Sequence, residues 1–145
     1  MIYFSFTLLH TEKEVSKAEV RVIGVSGTSL ISEMLTAELK VENKTICADV
    51  QNDILPIACV ERYERYGKNG NIGHAFVKGF GLKRGAMATS MGHDHHNITV
   101  LGTNAEDMAV AVNRIRELDG GIVIVDEGKV LYELARPICG LLCVE

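Results

Sequence analysis

Residues 86–118 run AMATSMGHDHHNITVLGTNAEDMAVAVNRIREL, and three kinds of local pattern follow one another in them. Ala86 to Met91 is small and apolar, and Ile98-Thr99-Val100-Leu101-Gly102 is a β-branched, apolar strand signal. Between them stands the polar run Gly92-His93-Asp94-His95-His96-Asn97, so this part of the chain offers strand, histidine-rich turn, strand. Thr103 is an N-cap candidate with Glu106 three residues later, the spacing of a capping box. Met108, Ala111, Val112, Ile115 and Leu118 then fall on one helical stripe, and Gly120-Gly121 closes it. The spacing predicts one main amphipathic helix at about 104–118.

Working outward, the other signals are mostly strands. Val20 to Val25 is a strand closed by Ser26-Gly27, and Met34 to Val41 is a second. Glu42-Asn43-Lys44 forms a hairpin turn, with Thr45 to Val50 returning. Ile54 to Val60 is apolar with Pro56 inside, which favours an edge strand or a strand start. Ile122 to Val125 and Val130 to Leu134 flank Asp126-Glu127-Gly128, another hairpin. Pro137 to Glu145 is apolar enough to pack down. No repeat or linker divides the chain. The expectation is a single compact, strand-rich domain over 1–145, of class α+β or α/β.

The chain has 145 residues, which suits one domain with a real core and excludes a metal-dependent hydrolase barrel of roughly 250 residues. A net charge of −4 provides no electrostatic footprint for nucleic acid or anionic lipid. Cys47, Cys59, Cys139 and Cys143 sit among apolar neighbours without a CxxC pair, which points to buried free thiols in a reducing compartment. Met1 to Leu9 is apolar but too short for a membrane span, and it lacks the basic start and cleavage site of a signal peptide. It reads as an N-terminal strand, and the protein as cytoplasmic.

Two segments carry residues suited to chemistry. Histidine titrates nearest neutral pH and is a common metal ligand, and three of the five histidines lie in the run 93–96. His93, Asp94 and His96 are the candidate catalytic groups, with Asp94 able to orient a ring by accepting its N–H. Asn97 can donate and accept at a nucleobase edge, His95 adds an imidazole, and Gly92 permits close approach. The alternative is a solvated turn, but turns favour Gly, Asn, Asp, Ser and Pro over clustered histidine. Metal capture by His93, His95 and His96 would need further ligands, and His10 and His74 stand at no matching spacing. The second segment, Gly67 to Gly85, holds six of the 14 glycines. Its backbone N–H groups with Lys78, Lys83 and Arg84 suit a small anion. It matches neither a Walker loop nor a dinucleotide fingerprint, and a crossing loop with unusual backbone angles explains the glycines equally well. Glu61 and Arg62 read as a strand-end charge pair.

These residues also carry a family likeness. Gly70-Asn71-Ile72-Gly73, Phe76-Val77-Lys78-Gly79-Phe80-Gly81-Leu82, Gly85-Ala86, His93-Asp94 and His96-Asn97 resemble the C-terminal domain of bacterial and archaeal adenine deaminases of the amidohydrolase superfamily. Gly102-Thr103-Asn104, Glu106-Asp107-Met108, Ala111-Val112-Asn113-Arg114, Gly120-Gly121, Pro137-Ile138 and Gly140-Leu141 continue it in register. The resemblance implies hydrolysis of adenine to hypoxanthine and ammonia in the full-length enzyme, by hydroxide on a divalent metal (Fe, Mn or Zn). It places that metal in a barrel, so this chain is expected to bind no cofactor and to be inactive alone. Gly92 and His95 depart from the family loop, each standing where the family has serine. The implied partners are an amidohydrolase barrel chain, a purine base and further copies in a homo-oligomer. A free-standing purine or small-anion binding module and a structural or oligomerisation module are the alternatives.

Overall fold

A computed structural model describes residues 15–63 and 71–143. The expected strand at Met1–Leu9, and Gly67 and Gly70 of the glycine-dense segment, lie outside them. The elements in chain order are β1 (Lys17–Ser26), β2 (Ser29–Glu42), β3 (Thr45–Ile46), β4 (Ile54–Val60), β5 (Ile72–Lys78), β6 (Ala86–Thr89), β7 (Ile98–Gly102), α1 (Ala105–Glu117), β8 (Gly121–Asp126) and β9 (Lys129–Ala135). All nine strands join one sheet in the order β3-β2-β1-β5-β4-β7-β6-β8-β9. β1 and β5 pair in parallel, and the other neighbours are antiparallel.

This overturns the α+β or α/β expectation. The fold is a strand-rich, open mixed sheet carrying one helix of 13 residues among those described. The excess of strand comes from two places. Lys17–Ser26 and Ser29–Glu42 make a hairpin longer than their apolar cores suggest. The glycine-dense stretch contains β5, paired on both sides.

Of the two placements that Pro56 suggested, the edge fails, because β4 lies inside the sheet between β5 and β7, while Pro56 does stand near the strand start. The ladder to β7 begins only at Ile57, so the missing N–H of Pro56 stands just outside it. The helix starts one residue later than the Thr103 cap implies. Asn104 is the N-cap; its Oδ1 accepts from Asp107 N–H at 2.8 Å and its Nδ2 donates to Asp107 Oδ2 at 2.9 Å. Thr103 instead donates its hydroxyl to Gly85 O at 3.2 Å.

Met108, Ala111, Val112 and Ile115 face the sheet from α1 and share one core with Val22, Leu39, Ala58, Phe76, Val100, Val123 and Val125. The helix packs on β6, β7, β8 and β9. Leu55, Val77 and Leu101 form a smaller core on the opposite face, under Ala48, Val50 and Leu82. The four cysteines are unpaired, but the expectation that they are buried fails: Cys139 and Cys143 are exposed, and Cys47 and Cys59 half-buried. None of the described helices is long and apolar enough to cross a membrane.

Candidate functional site

The histidine-rich run is the connection between two inner antiparallel strands. β6 ends with Thr89 opposite Thr99, and β7 begins at Ile98 opposite Val60 of β4. Gly121 and Ile122 open β8 at the same level, since Ile122 pairs with Thr89. Residues 61–63, 90–97, 119–121 and 136–140 therefore gather at one end of the sheet.

Ser90 is the floor of this end. It is fully buried, its hydroxyl donates to Gly140 O at 2.7 Å, and its Oγ accepts from Gly121 N–H at 2.8 Å. Ser90 N–H also donates to Gly121 O at 3.0 Å. One side chain thus joins β6, β8 and the C-terminal turn. Gly140, at φ 73, admits the Arg62 guanidinium where a Cβ would stand. Arg62 donates to Cys139 O and Asp119 O, each at 3.4 Å, and its guanidinium lies 5.4 Å from the centre of the Tyr63 ring.

Above that floor the loop is closed by His96 N–H donating to Gly92 O at 2.7 Å. His96 takes a left-handed backbone, φ 49. The His95 ring lies over Gly92, where a Cβ would come 2.7 Å from its Cε1. That gives Gly92 a concrete function: a serine there would push the ring away. Asn97 N–H donates to His95 Nδ1 at 2.9 Å. With Nδ1 an acceptor, neutral His95 carries its proton on Nε2. Asn97 Oδ1 faces Arg62 N–H at 3.4 Å, and its side chain also meets the half-buried Cys59 thiol. Burial pushes that thiol up from its ordinary range, against the opposing pull of Asn97. His93 and Asp94 are exposed, while His96 and Asn97 are half-buried.

Three polar atoms are buried here without a protein hydrogen-bond partner: Glu61 Oε2, His96 Nδ1 and Arg136 Nε. All belong to segments of this sheet end, and a ligand group reaching them would find an acceptor, an imidazole nitrogen and a guanidinium donor. Glu61 and Arg136 were absent from the sequence-derived candidates. Glu61 stands at a strand end and Arg136 in an apolar tail, so neither sits beside the histidines in sequence.

Lys78, Lys83 and Arg84 are not part of this cluster. Lys78 pairs with Ile54 at the far end of β4, and Ala86 with Gly102 and Val125 at the far ends of β7 and β8. The length of β4 puts roughly 20 Å between the two sheet ends. Arg84 is paired with Asp126 and lies 3.6 Å from Glu127. The glycine-loop donors are also engaged: Gly79 N–H donates to Asp53 Oδ2 at 3.0 Å and Gly81 N–H to Asp53 Oδ1 at 2.8 Å. A carboxylate of the chain itself sits where a small anion was expected. Gly79 (φ 114) and Gly85 (φ 72) meet the Val25 and Val125 carbonyls so closely that no side chain fits, which accounts for those two glycines by backbone crossing.

Among the described residues, no group of three or more His, Cys, Asp or Glu is placed to hold a metal ion. Within the loop, His95 Nδ1 already accepts from Asn97 N–H and so is not free to ligate a metal.

The family description "Adenine deaminase C-terminal domain" matches residues 29–145, from β2 through the loop to the C-terminal turn. The chain belongs to that family. It is 44% identical over 136 residues to adenine deaminase 1 of Rhizobium etli, covering 94% of this chain and 24% of that protein. It is 47% identical over 130 residues to adenine deaminase of Brucella anthropi, covering 90% of this chain and 23% of that protein. Over 130 residues it is 48% identical to adenine deaminase 1 of Carboxydothermus hydrogenoformans, covering 90% of this chain and 21% of that protein. The chain thus spans about a quarter of the length of the curated relatives it matches. As a member of the family, it holds the histidine-rich loop within the matched segment and not in an appended one.

Proposed function

We propose that this chain serves adenine deamination as an accessory domain, presenting the loop Gly92–Asn97 to a purine site built mainly by a separate, metal-binding catalytic body. The observation that carries this is the family match across residues 29–145 together with the exposure of His93 and Asp94 at one sheet end. The reaction replaces the exocyclic amine of adenine with oxygen from water and releases ammonia. The metal that activates the water belongs to the catalytic body; no step runs through a metal on this chain.

The loop supplies contacts and proton carriers. His93 and His96 donate or accept at the purine, Asp94 orients an imidazole, and Asn97 pairs with the base edge. The Nε2–H of His95 adds a donor. Lys78, Lys83 and Arg84, at the opposite sheet end, take no part. The chain works in the cytoplasm, and alone it does not turn over adenine.

Ammonia release from adenine is measured for the chain, for an amidohydrolase barrel protein from the same source, and for their mixture. The expected result is no turnover with the chain alone and a higher rate in the mixture than with the barrel. The double variant His93→Ala, His96→Ala should bind the barrel and fail to raise the rate. A mixture no faster than the barrel alone, at concentrations where the two bind, refutes the proposal.

A further inference from the structure

Tyr63, Phe80 and Tyr132 are the exposed aromatic side chains among the described residues, and only Tyr63 stands at the histidine-rich loop. Phe80 follows Lys78 at the opposite end of the sheet, and Tyr132 lies within β9. Tyr63 is fixed in three ways. Its N–H donates to Glu61 Oε1 at 2.7 Å, and its hydroxyl donates to His96 O at 3.4 Å. The Arg62 guanidinium lies over its ring, 5.4 Å from the centre, and is itself lodged against Gly140, where a Cβ would stand. With one ring face turned to Arg62, the 48% of Tyr63 that remains exposed falls mainly on the other face. A ring already held in place loses little freedom when a second flat group settles on it.

We propose that the open face of Tyr63 is a stacking platform for a purine base, set so that the edge of the base meets the Gly92–Asn97 loop; the purine class rests on the function proposed above. The hydroxyl contact to His96 O brings the ring up against the loop backbone. Bases stack on aromatic rings through their π faces whatever their edge pattern, so the ring holds the base and the loop reads it. A neutral flat ligand suits this place better than an anion. The Arg62 guanidinium beside the ring already donates to the carbonyls of Cys139 and Asp119 and lies on the ring face. The two residues that hold Tyr63 by hydrogen bonds also carry Glu61 Oε2 and His96 Nδ1, each buried without a protein hydrogen-bond partner. A purine edge carries both N–H donors and ring-nitrogen acceptors, the groups that such atoms lack.

The test is a titration of the full chain with adenine, read by NMR from the tyrosine ring protons. A stacked purine moves the Tyr63 ring signals upfield through its ring current. Tyr132, 51% exposed in β9, is the control for adventitious stacking on any open tyrosine. The expected result is a saturable shift at Tyr63 and none at Tyr132. Tyr63→Phe keeps the ring and should keep the shift. Tyr63→Leu, followed from the imidazole protons of His93 and His95, should bind adenine roughly fivefold or more weakly, the share that one base–ring stack supplies, with an unchanged circular dichroism spectrum. Equal shifts at Tyr63 and Tyr132, or no shift at either up to the solubility limit of adenine, overturn the proposal. So does a Tyr63→Leu variant that binds adenine as the parent does. None of these readouts depends on turnover. A chain that shows the Tyr63 shift and fails to raise the rate of the barrel protein refutes the proposed function, while a raised rate without the shift refutes the platform.

Discussion

Replacing Ser90 by alanine removes one oxygen from the floor of the loop and leaves the shape almost unchanged. The two bonds lost are the donation to Gly140 O at 2.7 Å and the acceptance from Gly121 N–H at 2.8 Å. Ser90 is fully buried, and Gly121 and Gly140 are buried as well, so water cannot replace the missing partner. Each lost bond is worth about 1 kcal/mol net, and each stranded backbone group adds desolvation, for a total of roughly 2–4 kcal/mol. An unfolding entropy of about 2.1 cal/mol/K per residue gives ~0.3 kcal/mol/K for a domain of this size. The melting temperature should then fall by about 7–13 °C. The chain has no tryptophan, so urea and thermal unfolding are followed by far-ultraviolet circular dichroism. Ser32→Ala, on the exposed part of β2, is the control and should change stability by less than about 0.5 kcal/mol. A Ser90→Ala loss as small as that of the control refutes the reasoning that this hydroxyl ties β6, β8 and the C-terminal turn together.

Asp107→Ala removes a buried carboxylate that pairs with the Asn104 cap and accepts from Gly128 N–H at 2.7 Å; urea unfolding should show a loss of roughly 2–3 kcal/mol. Glu133 is held below the ordinary carboxylate range by its two hydrogen bonds from Arg114, at 2.7 and 2.8 Å. A depressed carboxylate stabilises the fold above its unfolded pKa of about 4.3 and loses that contribution as pH falls through its folded value. The stability gap between the parent and Glu133→Gln, measured by urea titration at low salt, should therefore be open at pH 7 and closed near pH 2.

Much of the loop region was legible because its determinants are close in sequence. The helix follows from Met108, Ala111, Val112 and Ile115, whose stripe depends only on local periodicity. The β6–loop–β7 hairpin follows from two apolar runs around a polar one. β5 was not legible, because Gly73 and His74 break its alternation and its partners, in β4 and β1, are remote in sequence. Lys78, Lys83 and Arg84 precede the loop closely in sequence, yet β6 carries the chain across the sheet between them. Asp53 could not be assigned to Gly79 and Gly81 because nothing local links them.

That carboxylate has a consequence for how glycine-rich stretches are interpreted. Asp53 is bound to the same chain, so it competes for the Gly79 and Gly81 donors at an effective concentration in the millimolar range or above, which no dilution lowers. A free phosphate would have to displace a tethered rival that is always present. The chain satisfies its own anion site, and a pattern that advertises ligand binding is here an internal clasp that ties the end of β5 to the turn before β4.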